Sequence, residues 1–214
     1  MKKCLYIVIL ATIVAVSCTV TGTLNEEYIV RNEEPDSSEE VSIITFTLNK
    51  SGVVSIGIGG SGVVTINWGD GTPAAQHNLS QNIVAFERTY TNSTSRTITI
   101  SGKSITFLEC ISNQITSVNA SKITTLTHFN FSYNQLTALD LSANTALMTV
   151  NCSDNEMDAA ALDAFLLSLH SNYIPSGKSV IISGNPGINA YQNKQIAINN
   201  GWSVDDFNIV FTIK

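Results

Sequence analysis

Shifted against itself by 21 residues, the chain superimposes three of its own segments. Ile105-x-x-Leu108-x-Cys110-x-x-Asn113-x-Ile115 falls on Leu126-x-x-Phe129-x-Phe131-x-x-Asn134-x-Leu136 and then on Leu147-x-x-Val150-x-Cys152-x-x-Asn155-x-Met157. Five positions agree in chemical type in all three units, and the connecting segments keep step, Val118-Asn-Ala-Ser against Leu139-Asp-Leu-Ser. A unit this short cannot bury its own apolar face, so neighbouring copies must stack to share a core. Asn113, Asn134 and Asn155 fall where the chain turns out of each strand. A buried amide at that point satisfies backbone groups of neighbouring turns, which cannot be left unpaired. These asparagines, with Asn185 further on, are therefore expected to be structural rather than catalytic.

The pattern resembles the leucine-rich repeat, L-x-x-L-x-L-x-x-N-x-L. The resemblance implies a short parallel solenoid over 103–214, with one strand per turn and an irregular or 3₁₀ return. In such a fold the open strand face carries function. Its candidate residues here are Glu109 and Ile111; His128, Asn130 and Ser132; Thr149, Asn151 and Ser153; and Ile181 and Ser183. This strip is polar, nearly uncharged and poor in large aromatics, so sugars or a small polar protein patch suit it better than a hydrophobic peptide needing aromatic anchors. The alternative reading is a solvated sheet face without a ligand.

Cys110 and Cys152 occupy one inward position two turns apart. Strands about 4.8 Å apart place their Cα atoms roughly 9–10 Å apart, whereas a disulfide needs less than about 7 Å. Free, buried thiols are expected.

After Met157 the period breaks. Asp158 can cap a helix whose Leu162, Phe165, Leu166 and Leu169 form an amphipathic stripe. Gly177 leads to Val180-x-Ile182-x-x-Asn185, a fourth strand and turn. A second helical stretch runs from Asn189 to Gly201, and 207–213 alternates like a strand covering the end. The Ser183-Gly-Asn-Pro-Gly turn and closing Asn199-Asn-Gly-Trp are similar to repeat proteins common among secreted Bacteroidetes lipoproteins.

Residues 41–102 read as all-β, with apolar runs at 43–48, 53–58, 63–68 and 97–100 between Gly, Asn and Ser turns. Trp68-Gly-Asp70-Gly-Thr72-Pro, then Arg88-Thr-Tyr90 and Thr97-Ile-Thr-Ile100, resembles a small PKD-type β-sandwich. In that family the turn joins two strands and a later Tyr opens the final ones. The resemblance implies a spacer, or a carbohydrate- or protein-contacting module. Its last strand runs almost into Ile105, so its sheet is expected to abut and cap the first repeat. Gly57-x-Gly59-Gly-Ser-Gly62 matches a dinucleotide fingerprint, but a strand follows where that motif needs a helix. A glycine-rich hairpin is expected instead. Gly102-Lys-Ser and Gly177-Lys-Ser lack the earlier glycine of a phosphate loop.

At the N-terminus, Lys2 and Lys3 precede an apolar run from Leu5 to Val16 that ends in Ala15-Val16-Ser17-Cys18. The run is short for a membrane span, which needs about 20 apolar residues. A single-span anchor and a plain signal peptide cut near Ser17 are alternatives. Cys18 with its small neighbour Ser17 resembles a bacterial lipobox, although Ala15 stands where Leu is commonest. That resemblance implies a signal peptide over 1–17, diacylglyceryl transfer to Cys18, and anchoring at the outer membrane or cell surface. Residues 18–40, with six Glu and Asp36 and too few apolar residues to repay ordering, read as a disordered acidic tether.

A net charge of −6 without Lys/Arg clusters gives no footprint for nucleic acid. His77, His128 and His170 share no ligand spacing, and no nucleophile–base arrangement or zinc motif is present. Asp70 has two readings, a calcium ligand or a simple Asp-Gly turn. The chain thus reads as a mixed β-rich protein: a small PKD-like β-sandwich followed by a short leucine-rich-repeat solenoid with one or two helices near the C-terminus. It is expected to be monomeric, to need no cofactor or metal, and not to be an enzyme. The expected function is that of an envelope lipoprotein binding a host protein or glycan; the alternative is a spacer or accessory subunit of an envelope assembly.

Overall fold

The computed structural model describes residues 41–207 and two short strands near the N-terminus. The chain divides into two units, Met1–Ser37 and Ser38–Lys214. In the first, β1 (Tyr6–Ile9) and β2 (Thr12–Ala15) pair antiparallel. Cys18 and the expected tether over 18–40 lie outside the described residues, as does most of the expected terminal strand, 208–213. No helix among the described residues is long and apolar enough to cross a membrane.

The second unit is β-rich, with two short α-helices among the described residues. It begins with β3 (Ser42–Leu48), whose alternate residues Ile44, Phe46 and Leu48 are buried, as period-two burial of one sheet face requires. β4 (Gly52–Asn67) follows, then β5 (Ala75–Leu79), β6 (Val84–Tyr90) and β7 (Arg96–Glu109). β4 is a single strand of 16 residues, so the glycine-rich segment is no hairpin. Gly60 explains the difference. Its φ of +148° suits only glycine, and a Cβ there would overlap the Ser104 carbonyl oxygen. The register between β4 and β7 slips at this point, making a bulge that bends the strand instead of reversing it. One half of β4 thereby pairs with β6 and the other with β5, while β7 runs along both.

The boundary expected at 102/103 marks no break, because β7 crosses it without interruption. Its first half pairs antiparallel with β3, and its last residues pair in parallel with β9 (His128–Asn130). The physical reason is economy of pairing: a strand that continues into the next unit leaves no exposed edge at the joint. Tyr90 ends β6 rather than opening the strands that follow. Its buried hydroxyl donates to the Trp68 carbonyl at 2.6 Å, tying the Asp-Gly turn to this end of the sheet. The phenol loses solvent there and its pKa rises to about 12.

From β7 a parallel ladder proceeds through β9, β10 (Thr149–Asn151), β11 (Lys178–Ile181) and β12 (Trp202–Asp205). The register steps from Phe107 to His128 to Thr149, the 21-residue period of the sequence. Inward residues Leu108, Phe129, Val150 and Val180 are fully or almost fully buried. Phe129 stacks on Phe131 at 4.3 Å, and Phe46 of β3 meets Phe131 edge-on at 5.8 Å, so one core runs from the antiparallel strands into the ladder. Cys110 and Cys152 are buried free thiols, as their spacing requires. The first return segment is a regular strand, β8 (Ile115–Lys122), rather than an irregular one, because β3 offers it an antiparallel partner.

The asparagines form the expected chain of hydrogen bonds. Asn134 donates through Nδ2 to the carbonyls of Cys110, Phe131 and Ser132, and its Oδ1 accepts from the amides of Asn113 and Ile115. Asn155 serves Phe131, Cys152, Ser153 and Leu136 in the same way, and Asn185 serves Cys152, Ile182 and Met157. Asn113 instead bonds both backbone groups of Ser55 in β4.

Asp158 caps α1 (Ala159–Ser168) by accepting from the Ala161 amide at 2.8 Å. The second helical stretch is shorter than its sequence suggests: a 3₁₀ turn (Pro186–Asn189) comes first, and α2 covers only Lys194–Asn199. At the end of the ladder the buried Lys178 ammonium donates to three carbonyls, of His170, Asn172 and Asn200.

Replacing Asn134 by Ala leaves several buried backbone groups unpaired and should cost about 3–5 kcal/mol of unfolding free energy. Asn119→Ala, which removes only exposed bonds to Ser121, should cost less than about 1 kcal/mol. Urea unfolding midpoints check both, and equal losses would refute the role given to the buried amide.

Candidate functional site

The solvent-facing side of the ladder carries two rows of side chains in register. Phe107, His128, Thr149, Ser179 and Ser203 form the first; Glu109, Asn130, Asn151, Ile181 and Asp205 form the second. The alternation of the pleat produces them, since every residue between the rows points into the core. The rows are half-buried over β7 to β11 and exposed at β12.

Of the residues expected on this face, Glu109, His128, Asn130, Thr149, Asn151 and Ile181 lie in these rows. Ile111 and Ser183 stand beyond them, where the chain turns. Ser132 and Ser153 do not belong to an exposed strip, being only 3% and 6% exposed. After Phe131 and Cys152 the chain folds under, because the Asn two residues earlier takes the serine amide: Asn130 Oδ1 accepts from Ser132 N–H at 3.2 Å, and Asn151 Oδ1 from Ser153 N–H at 3.0 Å. Asn130 also receives the Ser132 hydroxyl. A backbone amide can only donate, so the oxygen of each side-chain amide faces inward and its Nδ2 faces the strip. Asn130 Nδ2 reaches Glu109 Oε2 at 3.4 Å.

Sequence reasoning missed Phe107, although the same 21-residue shift aligns it with His128 and Thr149. Its ring meets that of His128 at 5.7 Å and 31°, giving the strip an aromatic end. Ile83, from the β5–β6 connection, borders that end above Gly57 and Gly59; a Cβ on Gly59 would lie 3.4 Å from Ile83 and 3.0 Å from the Phe107 Cβ. No local pattern announces this contact, which joins residues distant in sequence. Ser179, Ser203 and Asp205 were missed because the last turns abandon the 21-residue spacing. Asn144 was missed as well: fully buried, it donates to the Ala120 and Ile123 carbonyls and couples two return segments.

The other candidates are internally committed. Asp70 accepts from the Thr72 amide and hydroxyl and from Arg88, its Oδ1 lying 2.6 Å from the hydroxyl and its Oδ2 2.6 Å from the Arg88 Nε. Those bonds, the Thr72 hydroxyl first, lower its pKa to about 2. The carboxylate is therefore occupied by an arginine, and among the described residues no group of three or more His, Cys, Asp or Glu side chains is placed to hold a metal. His77 lies in β5 against Phe86. His170 is half-buried: Nε2 donates to the Leu147 carbonyl, Nδ1 accepts from the Asn172 amide, and Trp202 packs against the ring. Burial, assisted by the Lys178 charge, lowers its pKa. A groove of about 660 Å³ lined by Val118, Leu139, Asp140, Ala161, Ala164 and Leu167 shares no residue with the strip.

No family model matches the chain, and no curated protein or solved structure matches it.

Two acid dependences follow from these pKa shifts. His170 binds its proton more weakly folded than unfolded, so stability should be highest above its ordinary value of 6.5 and fall as pH drops below it. Asp70 ionises more readily folded, so its contribution should be present above 3.8 and disappear as pH falls toward about 2. His170→Gln should flatten the first decline and Asp70→Asn the second. Thermal midpoints measured across both windows check this; a slope unchanged by its own variant refutes that assignment.

Proposed function

We propose that this chain is an envelope lipoprotein that binds its partner through the open face of a leucine-rich-repeat ladder, with a PKD-like β segment joined to the ladder's first turn. The observation that carries the reading is the pair of in-register rows, in which serine amides hold the Asn130 and Asn151 oxygens and leave their Nδ2 groups on the strip side at adjacent strands. Donors fixed by second bonds bind without losing side-chain freedom, which is what a recognition surface needs. The spacing of Leu, Cys and Asn positions supports the repeat class, and the Trp68–Pro73 turn between β4 and β5 supports the PKD likeness. Lipid attachment at Cys18 and export rest on sequence alone. A binding role is preferred to catalysis because the Thr127 hydroxyl, 2.9 Å from His128 Nδ1, is committed as a donor to the Thr106 carbonyl and is no activated nucleophile.

The second reading, a spacer without a soluble ligand, draws on the inward commitment of Ser132, Ser153 and the Asn130 oxygen. The combined variant Glu109→Ala, Asn130→Ala, Asn151→Ala separates the two. Adhesion to intact cells or glycan panels should fall about tenfold or more, while Leu167→Ala, exposed on α1, should leave it unchanged. Binding equal in all three proteins, or absent from the parent, favours the spacer. For the anchor, labelled palmitate should enter the parent protein and be lost in Cys18→Ala; label that survives the substitution rejects lipidation at that residue.

A further inference from the structure

Resting on the reading of the strip as a binding face, we infer that its ligand is a neutral oligosaccharide, with one sugar ring seated on Phe107 and His128 and its hydroxyls read by Asn130, Asn151 and Glu109. The two rings lie 5.7 Å apart and are inclined by 31°, and both are half-buried at the surface of the strip. Aromatic faces are negative and attract positively polarised C–H groups. The C–H face of a pyranose supplies such groups in a flat array. Ile83 walls this end of the strip, and the missing side chains of Gly57 and Gly59 leave room for it beside Phe107.

The neighbouring row supplies what sugar hydroxyls require, two donors flanked by an acceptor. Asn130 and Asn151 present Nδ2 donors on adjacent strands, about 4.8 Å apart, and Glu109 presents a carboxylate beside the aromatic end. Thr149, Ser179 and Ser203 continue the aromatic row with hydroxyls. Across five strands the strip spans about 19 Å, which suits an oligomer better than a single sugar. The charges argue for neutrality: Glu109 and Asp205 stand in the rows, and neither row contains Lys or Arg, so an anionic glycan would meet repulsion and no counter-charge. A peptide is the weaker occupant. β7, β9 and β10 are paired on both sides here and offer no free edge for strand addition.

Titration calorimetry of the full chain with neutral β-linked gluco-, manno- and galacto-oligosaccharides of increasing length tests the proposal, with uronate oligomers as the anionic comparison. At least one neutral series should bind, more tightly as length grows. Phe107→Ala and Asn151→Ala should each weaken binding about tenfold, Phe107→Trp should retain it, and Leu167→Ala should not alter it. Phe107→Leu keeps the apolar packing and removes the ring, so loss of binding with an unchanged thermal midpoint separates stacking from folding. Uronate preference, or neutral binding indifferent to Phe107 and Asn151, overturns the proposal. Failure of every saccharide, with adhesion to cells still abolished by the Glu109, Asn130 and Asn151 substitutions, overturns the saccharide and leaves the binding face standing. If those substitutions change nothing either, both readings fall.

Discussion

The buried asparagine amide at the exit of each strand is the interaction on which the ladder depends. Strands of three residues, such as β9 and β10, cannot satisfy the tight turns that follow them. Asn134 and Asn155 do so with one planar group that donates to their own turn and to the turn before it, and accepts from that earlier turn as well. No turn is complete without the next. Such nearest-neighbour coupling is what makes a stack of small units cooperative. Asn113 extends the coupling backward by bonding Ser55 in β4, so the antiparallel strands and the parallel ladder share one polar seam as well as one apolar core.

That seam explains why the chain shows no joint near residue 102. β7 pairs with β3 and β4 along its first half and with β4 and β9 at its end, passing its hydrogen bonds from one arrangement to the other. Phe46 and Phe131 make the same passage in the core. An ordinary domain boundary would leave exposed edges on both sides, an invitation to mispairing. Here the antiparallel strands occupy the ladder's open first edge, while at the other end Lys178 gathers three carbonyls whose loops would otherwise end unpaired.

Much of this was legible in the sequence where the signal is periodic. The 21-residue shift fixed which residues face inward, the asparagine positions and the unpaired thiols, and Asp158 announced the start of α1. What escaped depends on contacts between distant segments. The segment Gly57–Gly62 has hairpin composition, yet the approach of Ser104 turns it into a bulge. β8 has the same local pattern as the irregular return after Leu136, and only the presence of β3 makes it a strand. Ser132 and Ser153 alternate as exposed residues should, but hydrogen bonds from their own amides to the asparagine two residues earlier draw them under. The aromatic end of the strip needed Phe107 beside His128 and Ile83 over two glycines, a coincidence of strand register and loop path.

Those asparagine–serine bonds also link the fold to the chemistry of the open face. An asparagine free on a sheet surface rotates about its side-chain bonds and presents oxygen or nitrogen with little preference, so it distinguishes ligands poorly. Once its oxygen is held by a backbone amide, the nitrogen side alone remains outward. Asn130 and Asn151 are held in this way at the same register position. The burial of Ser132 and Ser153 is therefore not a loss of two contact residues but the cause of two oriented donors. A surface made by repeating such a turn acquires a row of like donors without any residue being selected for it singly. The departures from the repeat, Glu109 and Phe107 at one end and Ile181 and Asp205 at the other, give that row its polarity.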